Sequence, residues 1–200
     1  MFLIVMRLGD PGNFSVNGDC NIPGYEKWIT LDSVSFGVGK NVEVKAGGAD
    51  GKGFDVQSLA PTGEMQSLSI DKSIDCSSIY IMHKSIQDRA SGSEKAQTSA
   101  VIHFVENLPN HDKAGKDGTS SFPFLKIKLG NVLIKSWSLS ASGGGDRPSE
   151  SIELWFSQIA MAYRAIKDGK TLEIVKYGPK GWDQFEQKEW PSSGSWADKE

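Results

Sequence analysis

Between Phe124 and Ala165 apolar and polar residues alternate with a period of two, and this alternation constrains the fold more than any other feature of the chain. Leu125, Ile127 and Leu129 alternate with Lys126 and Lys128, while Ile152, Leu154 and Phe156 alternate with Glu153, Trp155 and Ser157. Successive side chains of a strand point to opposite faces, so each run reads as a long strand with one face buried. A loop with Gly143, Gly144, Asp146, Arg147 and Pro148 joins the two. After Phe156 the apolar set moves by one residue, to Ile159, Met161 and Tyr163, a shift that a β-bulge accommodates.

Strands dominate the rest of the chain. Phe2, Ile4, Met6 and Leu8 share one face of an opening strand and Leu3 and Val5 the other, so this strand is expected to be covered on both sides. Further strands are read over Trp28 to Val38, Met65 to Ile70, Thr98 to Glu106 and Thr171 to Tyr177. The Gly-rich Ala46 to Gly53 reads as an extended mobile loop, and Pro109 to Ser121 as a second, polar one. One helix is expected over 77–89. Ser77 is its N-cap, and Ile79, Met82 and Ile86 form its buried stripe.

Composition excludes several classes. A net charge of −3 with mixed signs offers no basic tract for nucleic acid. Cys20 and Cys76 are too few for a disulfide framework and lack metal-like spacing, so they read as reduced cytoplasmic thiols. The opening MFLIVMRLGDPG has its arginine behind a short apolar run, unlike a cleavable signal peptide, and no segment reaches the roughly 18 apolar residues of a membrane span. Export of such a chain requires a dedicated machine.

Catalytic vocabulary is missing. His83, His103 and His111 show no metal-ligand spacing, and no Gly-x-Ser-x-Gly elbow presents a nucleophile. The segment Ala46 to Gly53 superficially resembles a phosphate loop but has Ala46 for its first glycine and Gly53 where a Ser or Thr is needed. Asn13-Phe14-Ser15 is a chance glycosylation triplet. No enzyme activity, cofactor or metal is expected. Six tryptophans raise a carbohydrate-binding β-sandwich as an alternative: Trp182, Trp190 and Trp196 would be its platforms, whereas Trp137 and Trp155 read as packing or interface residues.

The run LKIKLGNVLIKSWSLSASGGGDRPSESIELWFSQI resembles the C-terminal signature of the haemolysin-coregulated protein (Hcp) family, the inner-tube proteins of bacterial type VI secretion systems. Gln66 to Ser77 is similar to that family's strand, Lys-x-x-Asp-x-Ser turn and helix start. Weaker similarities lie at Trp28-Ile29, Val34 to Val38, Val175 to Gly178 and Gly181-Trp182.

The resemblance implies a mainly β fold: a closed β-barrel built from two antiparallel sheets with one flanking α-helix, as a single domain over 1–188 followed by a polar tail over 189–200. It implies hexameric rings that stack into a tube, carry or chaperone effector proteins and are themselves secreted from the cytoplasm without a cleavable signal peptide. Sheath, spike and baseplate proteins are the implied partners, with no nucleic acid and no membrane insertion. A phage-like tail tube protein shares this plan and is the nearest alternative. By position, the segment 40–63 matches the family's ring-stacking loop, with Gly47, Gly48, Asp50, Gly51, Lys52 and Gly53 at its centre, and Ser33 and Ser35 match its channel-facing strand.

Overall fold

The structure, a computed structural model, describes residues 2–10, 14–40, 42–46, 54–58, 63–87, 99–111, 117–144, 147–168 and 171–190. Its elements are β1 (Phe2–Asp10), β2 (Phe14–Val16), β3 (Ile29–Leu31), β4 (Ser33–Ser35), β5 (Val38–Gly39), β6 (Val42–Ala46), β7 (Phe54–Ser58), β8 (Glu64–Met65), β9 (Leu68–Ser73) and α1 (Ser78–Ile86). After the helix come β10 (Ala100–His111), β11 (Asp117–Gly130), β12 (Leu133–Ser140), β13 (Ser149–Trp155), β14 (Gln158–Asp168), β15 (Thr171–Asp183) and β16 (Lys188–Glu189).

The expected barrel is not closed. An eight-stranded antiparallel sheet runs β16-β15-β14-β11-β10-β1-β2, with β3 also on β1, and a four-stranded one runs β12-β13-β9-β4. Among the described residues neither sheet returns to its first strand, and no ladder joins them. What joins them is a shared core, in which Ile4, Met6, Ile102 and Ile127 of the large sheet meet Leu68, Ile70, Ile152 and Leu154 of the small one.

The chain passes between the sheets at corners that split what the alternation suggested were long strands. One corner lies at Asn131, which takes a positive φ of 55° between β11 and β12, and another at Phe156-Ser157 between β13 and β14. The Asn131 side-chain amide donates to the Ser157 hydroxyl at 2.8 Å, and Ser157 N–H donates to the Gly130 carbonyl. The one-residue phase shift after Phe156 is therefore a change of sheet and not a bulge within one strand. Bulges occur elsewhere, between Phe104 and Val105 and between Ile134 and Ser136.

Two other expectations are corrected. Residues 107–111 and 117–121 do not form a loop but extend the β10–β11 hairpin, with Pro109 opposite Thr119. The helix ends at Ile86, and its buried residues are Ser78 and Ile81, while Ile79 and Ile86 are 75% and 73% exposed. Ser77 sits at the N-cap, but its hydroxyl makes no cap bond and donates to the Asp75 carboxylate, which also accepts the Ser77 N–H at 2.8 Å.

That turn is anchored by a buried ion network. Lys72, fully buried on β9, donates to Glu150 at 2.6 Å, Asp75 at 2.8 Å, the Ser78 hydroxyl at 3.2 Å and the Ser73 carbonyl at 2.9 Å. Glu150 on β13 also accepts from Ser78 at 2.8 Å and from the Trp137 indole at 2.6 Å. Docking Ser78 into this network turns Ile81 into the core and leaves Ile79 outside.

As the alternation of β1 requires, its second face is also covered. Val5 packs with Cys20, Tyr25 and Val105, with Leu3, Ile22 and Trp28 around them, so the cover comes from the segment before β3. Buried among these groups, His103 lies 3.3 Å from the Tyr25 hydroxyl through Nδ1 and 4.9 Å from the Trp28 ring. Burial, reinforced by Lys126, Arg7 and Arg164, pushes the His103 pKa down to about 3, and burial pushes Tyr25 up to about 12.

Two stability predictions follow from these buried groups. Removing one member of a buried, hydrogen-bonded ion set strands the others, so Lys72→Met is expected to cost about 3–5 kcal/mol in urea denaturation, with Glu150→Gln in the same chain recovering part of it. His103 stays neutral in the fold but takes a proton in the unfolded chain below its ordinary value of 6.5. The native state is thus at full advantage above that value and loses stability as pH falls toward about 3, with a slope of up to about 1.4 kcal/mol per pH unit from this one group. His103→Phe is expected to flatten that slope between pH 4 and 6.5, and an unchanged slope would show that other groups cause it.

Candidate functional site

The outer face of the small sheet is paved with serine. Register aligns Ser33, Asp71, Ser151 and Ser138 in one row, and Ser35, Ser69, Glu153 and Ser136 in the next. A third row holds Ser73, Ser149 and Ser140. The opposite face of the same strands carries Leu68, Ile70, Ile152 and Leu154, so the period-two pleat that builds the core also sets out the serines.

Ser33 and Ser35, the expected channel-facing residues, both belong to this face and are exposed. The Ser33 hydroxyl donates to Asp71 at 2.7 Å, and the Ser151 hydroxyl donates to its other carboxylate oxygen. These two bonds, Ser151 foremost, hold the Asp71 pKa below the usual carboxylate range. Lys135 donates to Glu153 at 2.8 Å and to Ser67 at 3.3 Å, and its bond lowers the Glu153 pKa. Hydroxyls both donate and accept, and their short side chains lose little rotamer freedom on contact, so the face can bond varied polar surfaces. It has no nucleophile paired with a base.

The sequence reading singled out Ser33 and Ser35 as channel-facing and named none of the other serines of this face. Its signal is present, since serine recurs at every second position through 67–69, 136–140 and 149–151, always out of phase with the core residues. The stacking-loop residues Gly47, Gly48, Asp50, Gly51, Lys52 and Gly53 lie outside the described residues, between β6 and β7.

Other candidates are scattered. His83 is exposed on α1, His103 is buried on the far side of the large sheet, and no group able to hold a metal occurs among the described residues. Trp182 and Trp190 are half-buried, with Trp190 packed over Ala160 and Ala162, so neither is an open sugar platform. Trp196 lies outside the described residues. Trp137 and Trp155 are packing residues, the first on Glu150 and the second 5.9 Å from the Phe185 ring. Cys20 is buried and Cys76 exposed, both as free thiols, and a side-chain bond with Asp19 helps push the Cys76 pKa up to about 11. No described helix is long and apolar enough to cross a membrane.

Comparison with known proteins places this geometry. The family model described as "Type VI secretion system effector, Hcp" matches residues 6–163. Protein hcp1 of Pseudomonas aeruginosa is 35% identical over 116 residues, covering 57% of this chain and 62% of that relative. The match therefore spans less than two thirds of the relative's length. Among solved structures, a type six secretion system protein aligns with a TM-score of 0.70 at 21% identity, covering 94% of this chain and 99% of the other. Hcp1 from Salmonella typhimurium aligns with a TM-score of 0.58 at 16% identity, covering 94% and 99%. Both share the fold.

Proposed function

Because the chain belongs to the Hcp family of type VI secretion proteins, we propose that it is a structural subunit of the secretion tube, forming six-membered rings that carry effector proteins through their bore. The observation that carries this reading is the small sheet, which is open at β12 and β4 and presents a serine pavement between those edges.

An uncapped sheet edge offers unpaired backbone donors and acceptors to another strand. If the β12 edge of one copy meets the β4 edge of the next, the contact is head-to-tail, and repeating it closes a ring when the rotation fits. The small sheets then line one continuous inner wall. Serines on that wall keep the bore wet and bind cargo through many weak polar contacts, which suits a carrier that must later release. No catalytic step is needed. Synthesis in the cytoplasm, export through the machine and contact with its sheath, spike and baseplate proteins complete the proposal.

Purified protein is expected to appear as six-membered rings in negative stain, since such rings require lateral contacts well above about 1,000 Å². Monomers alone at micromolar concentration would overturn the assignment. Ser35→Gln places a bulky side chain in the second serine row. It is expected to leave rings intact while reducing co-purification of an effector co-expressed from the same secretion locus; undiminished co-purification removes Ser35 from the cargo face.

A further inference from the structure

The outer face of the small sheet does not end in serine. Burial alternates strictly along β13, so Trp155 falls on the same face as Ser149, Ser151 and Glu153. It lies one row beyond Ser35, Ser69, Glu153 and Ser136, opposite Leu133 of β12. The Phe185 ring, from the turn between β15 and β16, stands 5.9 Å from the Trp155 ring and is 71% exposed.

The backbone of that turn is fixed from inside the protein. Asp183, itself buried, accepts the Phe185 N–H at 2.9 Å, the Glu186 N–H at 3.0 Å and the Gln158 side-chain amide at 2.6 Å. Gln184 N–H donates to the Ser157 carbonyl at 2.9 Å. The bonds to Gln158 and Ser157 tie the turn to the corner that follows Trp155. A buried carboxylate requires such donors, and meeting that requirement here holds an exposed aromatic residue in place. A contact residue fixed in advance loses little freedom when a partner arrives.

In the ring read from the β12 and β4 edges, copies add strand beside strand, so the strands run along the bore and not around it. The end of β13 then lies at one mouth, and six copies set six Phe185–Trp155 pairs around it. The other end of the face carries Ser140 and Ser149, so the two mouths differ in chemistry.

We propose that Phe185, backed by Trp155, is the apolar anchor for cargo at that mouth, and that the cargo it takes is an effector protein presenting an exposed apolar or aromatic side chain. The inference rests on the ring reading above. Cargo is the occupant because the pair continues the wall face, whereas contacts between copies within the ring fall at the β12 and β4 edges. Hydroxyl contacts are individually weak, and interfaces draw most of their energy from a few aromatic anchors. Trp155 packs against part of the Phe185 ring, and the rest is open to a partner.

The test uses isolated rings with the same co-expressed effector as for Ser35→Gln, and follows ring mass by mass photometry. Phe185→Ser is expected to keep its rings, since the side chain lies outside the core, and to lose effector about tenfold or more, whereas Phe185→Trp retains it. The photocrosslinker p-benzoylphenylalanine in place of Phe185 is expected to capture the effector. Crosslinks formed only between copies of this chain overturn the inference and make Phe185 a contact between rings. Undiminished effector on Phe185→Ser rings, where Ser35→Gln lowers it, overturns the inference alone. Wild-type rings that hold no effector, or a monomeric wild type, overturn the carrier reading and the inference together.

Discussion

The small sheet, the helix and the corner that joins them depend on one buried ammonium. Lys72 lies on the inward face of β9 between Ile70 and the turn, where the alternation would otherwise place an apolar side chain. A cation there is tolerable only because four acceptors surround it, two of them carboxylate oxygens. Besides the Ser73 carbonyl on β9 itself, those acceptors come from three other pieces of chain: Glu150 from β13, Asp75 from the turn and Ser78 from the first turn of α1. The network therefore sets where the helix begins, which side it turns inward and how β13 sits beside β9. Such a set contributes less net stability than an apolar cluster of the same volume would, but alternative packings would strand its charges. Its physical effect here is to specify one docking of the helix.

This dependence explains which parts of the structure were legible in the sequence. The Lys-x-x-Asp-x-Ser turn was readable as a motif because its polar residues are close in the chain, whereas the distant partners Glu150 and Trp137 were not. The helix was placed at nearly the right residues and its face was misassigned. Ile79, Met82 and Ile86 have helical spacing, but a nine-residue helix has room for only one docking, and the polar Ser78 decides it. The two long strands around the glycine loop were legible as alternation, yet local periodicity does not record which sheet a strand joins. A sheet change at Asn131 or Ser157 shifts the phase by as little as a bulge does. The hairpin beyond Glu106 was hidden for another reason. Pro109 and the glycines near 115–118 signal a loop, while the ladder with β11 is a non-local pairing that overrides them.

The open sheets and the expected barrel are related by where the closing hydrogen bonds are made. Closing a barrel within one chain consumes its edges and leaves no strand to share. Here β12 and β4 keep theirs. The difference matters for the proposed ring, since edges left open within the chain are what a neighbour can complete. Face and edge then divide the labour in the small sheet. The inward face holds the subunit together through Leu68, Ile70, Ile152 and Leu154, the edges at β12 and β4 stay free to pair with another strand, and the outward face is left to serine.

Serine on that face also resolves a conflict that charge or apolar groups would create. In the proposed ring, an apolar inner wall would be sticky to unfolded chains and to other rings before assembly, and a wall of like charges would repel itself across the bore. Hydroxyls avoid both costs. The few charges present are held in place locally: the Asp71 carboxylate keeps its charge and is hydrogen-bonded by Ser33 and Ser151, and Glu153 is paired with Lys135. Because each carboxylate already has hydrogen-bonding partners on its own sheet, a polypeptide in the proposed bore would meet many short polar contacts in place of deep wells. In the proposed ring, retention of cargo would come from the number of contacts made at once, so a folded domain that fills the bore would be held and a small or narrow one would slip through. On that reading, the architecture that makes the wall unselective in chemistry would make it selective in size.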